Sequence, residues 1–173
     1  MFTQRLPCSN LFQRVLYDSH SLQLMLFCMT TVHSPENQEG EIAVLTALAQ
    51  REIDRIKQLS QPVARVCGPL TCDGQEGYER NAQRLAYAEQ FLQSQGITVW
   101  TFGEAEEEIF GRGYDHGNIF TYFHKPILES GLIQEAYFLP RWDESNGATL
   151  EREIATKAQV TIKEFPEAWF DVH

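Results

Sequence analysis

A carboxylate on the inward face of a helix that follows a strand can act as a nucleophile or an acid–base group, and Glu151 has that placement. The stretch Trp142 to Ile154 reads Trp-Asp-Glu-Ser-Asn-Gly-Ala-Thr-Leu-Glu-Arg-Glu-Ile. The apolar run Ala136–Leu139 before it reads as a buried strand. After it, Ala148, Glu151, Ile154, Ala155 and Ala158 share one helical face, with Arg152, Glu153, Thr156 and Lys157 on the other. An ionised carboxylate on a buried stripe is costly unless it is paired. A nearby helix N-terminus offsets part of the cost through its dipole and its free N–H groups. Two readings stay open at this level. Glu151 is either held in a cleft at the carboxyl edge of a sheet, or it is a boundary glutamate that caps or reaches solvent.

The elements that would position Glu151 form a βαβ series. Val63–Cys67 is the first strand candidate, broken by Gly68-Pro69-Leu70-Thr71, and a glycine-bearing loop runs on through Asp73, Gly74 and Gly77. A helix is predicted from Tyr78 to Ser94, with Ala82, Leu85, Ala88 and Leu92 inward and Gly96 as its stop. Ile97–Thr101 is the second strand, Glu135–Leu139 the third, and Val160–Ile162, within Gln159–Phe165, the fourth. Short apolar runs alternating with helical patterns predict a single α/β domain. Loops at the carboxyl ends of such strands are where open α/β sheets bind ligands. The first loop is neither Gly-x-Gly-x-x-Gly nor a P-loop, which argues against a dinucleotide site and an ATPase.

Before the sheet, Glu41–Leu59 has a helical stripe of Ile42, Leu45, Leu48 or Ala49, Ile53 and Ile56. Glu52, Asp54, Arg55 and Lys57 are expected outside it. The acidic run Glu104–Glu108 reads as a solvated surface loop. The glycine- and aromatic-rich half that follows it, with Tyr114, Asp115 and His116, reads as a lid over a ligand. Asn118–Gly131 is helical with a bend near Pro126.

The chain has 173 residues, enough for one domain with a substantial core, and 43% are hydrophobic. Its net charge of −10 argues against a nucleic-acid backbone or an anionic membrane as the main partner. It leaves room for a small anionic ligand. Cys8, Cys28, Cys67 and Cys72 lack a common zinc spacing and read as reduced thiols of a cytoplasmic protein. The scattered histidines, His124 among them, read as loop or core residues, and no metal or other cofactor is expected. Residues 1–40 share no periodicity with the rest. They are expected to be a poorly ordered N-terminal extension ending in a linker at Ser34–Gly40, with Met25 or Met29 as a candidate translation start. That leaves residues 41–173 as the domain, with its core at 63–165.

Two motifs in this order, Val66-Cys-Gly-Pro-Leu-Thr71 and Ser145-Asn-Gly-Ala-Thr-Leu-Glu151, resemble the nucleoside 2-deoxyribosyltransferase superfamily, including its deoxynucleoside 5′-monophosphate N-glycosidase branch. A branch of uncharacterised members with Trp-x-x-Ser-x-Gly-Ala-x-x-Glu is the most similar; here that is Trp142, Ser145, Gly147, Ala148 and Glu151. The resemblance implies a flavodoxin-like parallel sheet, usually in a homo-oligomer such as a dimer. It implies cleavage or transfer at the N-glycosidic bond of a nucleoside or nucleotide, with Glu151 as nucleophile. Asp115 is the carboxylate that would enter from the lid. Cys67, Gly68, Pro69, Leu70, Thr71, Tyr114, His116, Asp143, Ser145, Asn146 and Gly147 are the implied substrate contacts. Six residues before the nucleophile, nucleoside-using members carry aspartate and monophosphate-using members serine; here Ser145 implies a phosphate. The family's usual aspartate in the helix before the third strand aligns with Ile127, and Glu129 is the nearest carboxylate. A non-catalytic nucleotide-binding or sensing module on the same fold is the alternative. A phosphoribohydrolase of the lysine-decarboxylase-like group is the third reading, although the Pro-Gly-Gly loop of that group is missing.

Overall fold

A computed structural model describes residues 35–70, 74–101 and 104–170, all within the compact unit Ser34–His173. The expectations for residues 1–34 and for Thr71 and Cys72 lie outside the described residues. The four expected strands are present as β1 (Val63–Cys67), β2 (Thr98–Trp100), β3 (Ile133–Phe138) and β4 (Thr161–Glu164). They form one parallel sheet in the order β2-β1-β3-β4. This is a flavodoxin-like arrangement, and the direction in which successive strands are added reverses between β1 and β3.

The order dictates where the helices go. The chain steps one way from β1 to β2, then back across β1 to β3 and on to β4. Right-handed crossovers send the first connection to one face of the sheet and the later two to the other. Accordingly α2 (Gly74–Ser94) packs Ala88 and Leu92 on Ala64, Val66 and Val99. The opposite face takes α1 (Pro35–Ile56), α3 (Glu104–Arg112), α4 (His116–Ile119), α5 (Lys125–Glu129) and α6 (Asn146–Lys157). Fully buried Leu45, Ile56, Phe123, Ile127 and Phe138 form the centre of that larger core. Each such aliphatic or aromatic side chain contributes about 1.5–3 kcal/mol through burial.

Several local expectations are corrected. Pro35 to Gly40 is the start of α1 and not a linker; proline is compatible with a first helical turn, whose N–H groups lack intrahelical partners. Glu52 lies inside α1's stripe, because Leu45, Leu48, Ala49, Glu52 and Ile56 follow the i, i+3, i+4, i+7, i+11 spacing of one face. It accepts a hydrogen bond from Trp100 Nε1 at 2.9 Å and pairs with Arg55. Gly74 and Gly77 belong to α2 and not to a loop. The acidic run Glu104–Glu108 is helical, since Ala105 and Ile109, four residues apart, are buried and anchor α3.

Two features set the phase of the site. Between β1 and β3 the register shifts, with Val63 opposite Ile133 but Ala64 opposite Glu135. The extra residue, Gln134, accepts the Val63 N–H at 2.7 Å. It lets Ile133 and Ala136 face the large core while Glu135 and Tyr137 face the other side. Between α4 and α5 a π-helical turn, Phe120–His124, widens the helix. Proline cannot donate a backbone bond and crowds the preceding turn, and the widened turn accommodates Pro126.

Candidate functional site

Within β1, Arg65 and Cys67 are two residues apart and so project from the same face, into the large core. Both are buried, at 5% and 2% exposure. Glu151 projects toward them from the second turn of α6 and is itself only 6% exposed. Arg65 Nη2 donates to Glu151 Oε1 at 3.2 Å, and its guanidinium lies 4.9 Å from the centre of the Trp100 ring. His124 Nδ1 approaches the same Oε1 at 3.5 Å, and Phe120 stacks on the imidazole with centroids 4.9 Å apart. Four polar groups from β1, the π turn and α6 therefore converge in an otherwise apolar core.

Burial and charge decide their protonation. Burial works against the Arg65 charge, but Glu151, with smaller contributions from Cys67 and Glu89, outweighs it and holds the guanidinium above its ordinary range. Burial, and then the neighbouring Glu151 charge, push the Cys67 thiol well up, so it stays protonated and is no thiolate nucleophile. Burial, and then the Arg65 charge, lower His124 to about 3. At neutral pH the imidazole is uncharged, and its contact with Glu151 is a polar contact rather than an ion pair. The cluster is thus one buried ion pair, Arg65 with Glu151, flanked by two neutral groups.

The other expected site residues separate into groups. Ser145 is buried and caps α6, its hydroxyl accepting the Ala148 N–H at 3.3 Å. Asn146 and Gly147 occupy the first turn, where backbone N–H groups have no intrahelical acceptor. A Cβ at Gly147 would stand 3.1 Å from the Phe120 ring, which would have to give by a few tenths of an ångström. At Gly68 the fit is tighter, its Cβ position lying 2.9 Å from Leu139 where β1 and β3 end side by side. Pro69 and Leu70 follow on that edge. Asp143 is exposed in the short 3₁₀ turn Trp142–Glu144.

The lid group is placed differently. Asp115 is an exposed helix cap: its carboxylate accepts the Asn118 N–H at 3.1 Å, and its own N–H donates to Glu41 of α1 at 2.8 Å. His124 lies nine residues beyond Asp115 along the same helical run, an axial separation of about 13 Å. Asp115 therefore lies away from the His124–Glu151 contact in this arrangement. Tyr114 packs half-buried on the large core, and His116 is exposed in the first turn of α4. Ile127 is fully buried and apolar, and Glu129 is exposed.

Sequence reasoning missed Arg65 and His124. A charge inside the otherwise apolar Val-Ala-Arg-Val-Cys strand was a readable signal that a buried partner exists. Nothing in sequence spacing links His124 to Glu151; the π turn and the crossover bring them together. Among the described residues no cluster of three or more His, Cys, Asp or Glu side chains can hold a metal ion, and no helix is long and apolar enough to cross a membrane. Comparison of the chain with protein-family models, with curated proteins and with solved structures returns no match.

Proposed function

We propose that this protein cleaves or transfers at the N-glycosidic bond of a nucleoside 5′-monophosphate or nucleoside, with Glu151 as the nucleophile. The observation that carries the reading is the buried Arg65–Glu151 pair behind the β1/β3 edge. The pair holds a carboxylate in place at the carboxyl edge of the sheet, and retaining chemistry at an anomeric carbon uses such a carboxylate as its nucleophile. Arg65 and His124 both address Oε1, and Oε2 is taken as the attacking oxygen. Oε2 forms a bond to C1′ while the C1′–N bond breaks and its electron pair leaves with the base. Water or a second base then attacks C1′ and releases the carboxylate. Neutral His124 does not serve as an imidazolium acid here, so the departing base takes its proton from solvent or from a substrate-borne group. A cytoplasmic location, a homodimer, and a role apart from nucleic acids and membranes belong to the same proposal.

A second reading, a nucleotide-binding or sensing module without catalysis, is favoured by Ile127. That side chain is fully buried where the resembling family carries its second carboxylate. One experiment separates the two. Wild type and Glu151→Gln are incubated with deoxynucleoside and ribonucleoside 5′-monophosphates and the matching nucleosides, and free base is measured. Wild type should release base, and rapid quenching should show a sugar adduct on the peptide containing Glu151. Glu151→Gln should lose about three orders of magnitude or more in rate. Retention of more than about a tenth of the rate, roughly 1.4 kcal/mol of barrier, rules Glu151 out as the nucleophile. Binding without any base release supports the sensor.

A further inference from the structure

The sheet edge next to this cluster carries a second feature that the resemblance did not point to. A cleft opens between the ends of β1 and β3 on the α2 side, lined by Pro69, Arg80, Asn81, Arg84, Leu139, Pro140 and Arg141. We infer that this cleft is an anion subsite for a phosphoryl group, with Arg80 and Arg141 as its principal ligands. On the nucleotide reading above it holds the 5′-phosphate; the anion site itself does not depend on that reading.

Three observations support it. The cleft lies where the strand order reverses, the place at which open α/β sheets hold ligands. Three of the 14 lysines and arginines of a chain with net charge −10 line it, two of them, Arg84 and Arg141, each held by a glutamate. Asn81, a polar residue only 4% exposed, contributes to the wall. Its enclosed volume is about 20 Å³, room for one oxygen-sized group, so the anion would seat one oxygen inside and the rest at the mouth.

Ion pairs pre-orient two of the guanidinium groups. Arg84 Nη2 donates to both carboxylate oxygens of Glu167, at 2.9 and 2.8 Å, and its guanidinium lies over Phe170. Arg141 donates to Glu144 through Nε at 2.9 Å and Nη2 at 2.5 Å. A guanidinium carries five N–H donors, so such a pair fixes its plane without using it up. Ser145 accepts the Ala148 N–H as the α6 cap, a bond that uses a lone pair and not its O–H. On this assignment the phosphoryl ligand lies with the arginines. Pro69 at the cleft follows Cys67 at the Glu151 cluster by two residues.

The test uses inorganic phosphate and the four common deoxynucleoside 5′-monophosphates with their nucleosides, titrated calorimetrically against the full chain. Wild type should bind phosphate in the millimolar range and at least one monophosphate at least tenfold more tightly than its nucleoside. Arg80→Gln with Arg141→Gln should weaken phosphate and monophosphate binding at least tenfold, leave nucleoside affinity within twofold, and keep the wild-type melting temperature within a few degrees. Arg80→Lys with Arg141→Lys should recover part of the loss. Glu151→Gln and Ser145→Ala should leave phosphate affinity unchanged. Absence of phosphate binding to wild type, unchanged affinity in the double glutamine variant, or loss of phosphate binding in Ser145→Ala would each overturn the assignment. Arginine-dependent phosphate binding without base release by wild type would uphold the anion site and remove the glycosidase reading. Base release with no dependence on the arginines would do the reverse.

Discussion

The two faces of this sheet each carry a glutamate paired with a cation, and they do so under opposite physical conditions. On the large-core face Glu151 meets Arg65 with side chains 8% and 6% exposed. On the other face Glu135 meets Lys163 at 2.7 Å with side chains 24% and 39% exposed, and Tyr137 joins them by donating to Glu135 at 3.0 Å. That side has α2 over β1 and β2 and an open groove along Glu135, Tyr137 and Lys163. Water screens the exposed pair and competes with it, whereas the buried pair has only its partners. A similar charge pairing therefore decorates one face and is a structural commitment on the other.

The comparison sharpens most at Arg65. Arg65→Met leaves the Glu151 carboxylate buried without its cation, and the expected loss is about 3–5 kcal/mol of stability. Arg65→Met with Glu151→Leu removes both charges and should recover most of it. Chemical denaturation of the three proteins measures this. A loss below about 1 kcal/mol for the single variant would mean that the pair behaves like its exposed counterpart.

The next effect is in pH. His124 is held neutral down to about pH 3 in the fold, while an unfolded histidine titrates near 6.5. Below 6.5 the unfolded chain binds the extra proton, so stability from this residue is full above that pH and is lost as pH falls toward 3. The slope is about 1.4 kcal/mol per pH unit, or about 2–3 kcal/mol by pH 4.5. Arg65 and Glu151 act on the ring, and carboxylates elsewhere also titrate in this window. The informative quantity is therefore the difference between wild type and His124→Gln, which should narrow steadily from pH 7 to 4.5. Parallel curves would show that His124 is protonated in the fold.

The smallest effect belongs to the exposed pair. Hydrogen bonding to Glu135 and Tyr137 raises the Lys163 ammonium above its ordinary range, yet the side chain is 39% exposed and its charge is screened by water. Lys163→Ala should change stability by about 1 kcal/mol or less, and less still in high salt. A change comparable to that of Arg65→Met would erase the contrast between the faces.

Helix ends show how far local rules reach. The predicted stop at Gly96 is a left-handed cap, with Gly96 and Ile97 donating to Gln93 and Leu92 at 2.9 and 3.1 Å. The end of α6 has the same bond pattern, but its left-handed residue is Gln159, which no turn rule singles out. Ser145 caps α6, a place its residue type favours, while its phosphate role rests on the resemblance alone.

Sequence alone determined the four parallel strands, the helix after β3 and the inward aspect of Glu151, because periods of 2 and 3.6 residues are local properties of the chain. It misread Glu104–Glu108, where charges outnumber the two buried anchors Ala105 and Ile109 and hide their four-residue spacing. Glu52 was misread because a charged side chain was assigned to solvent, while the indole of Trp100 awaited it on β2. Tertiary structure decided that Arg65 and Glu151, 86 positions apart, pair in the core. It also decided that a widened helical turn sets His124 beside them, and that Arg80, Arg84 and Arg141 line one cleft. Such pairings depend on strand order and crossover handedness, which bring distant segments together without leaving a mark in the spacing of either.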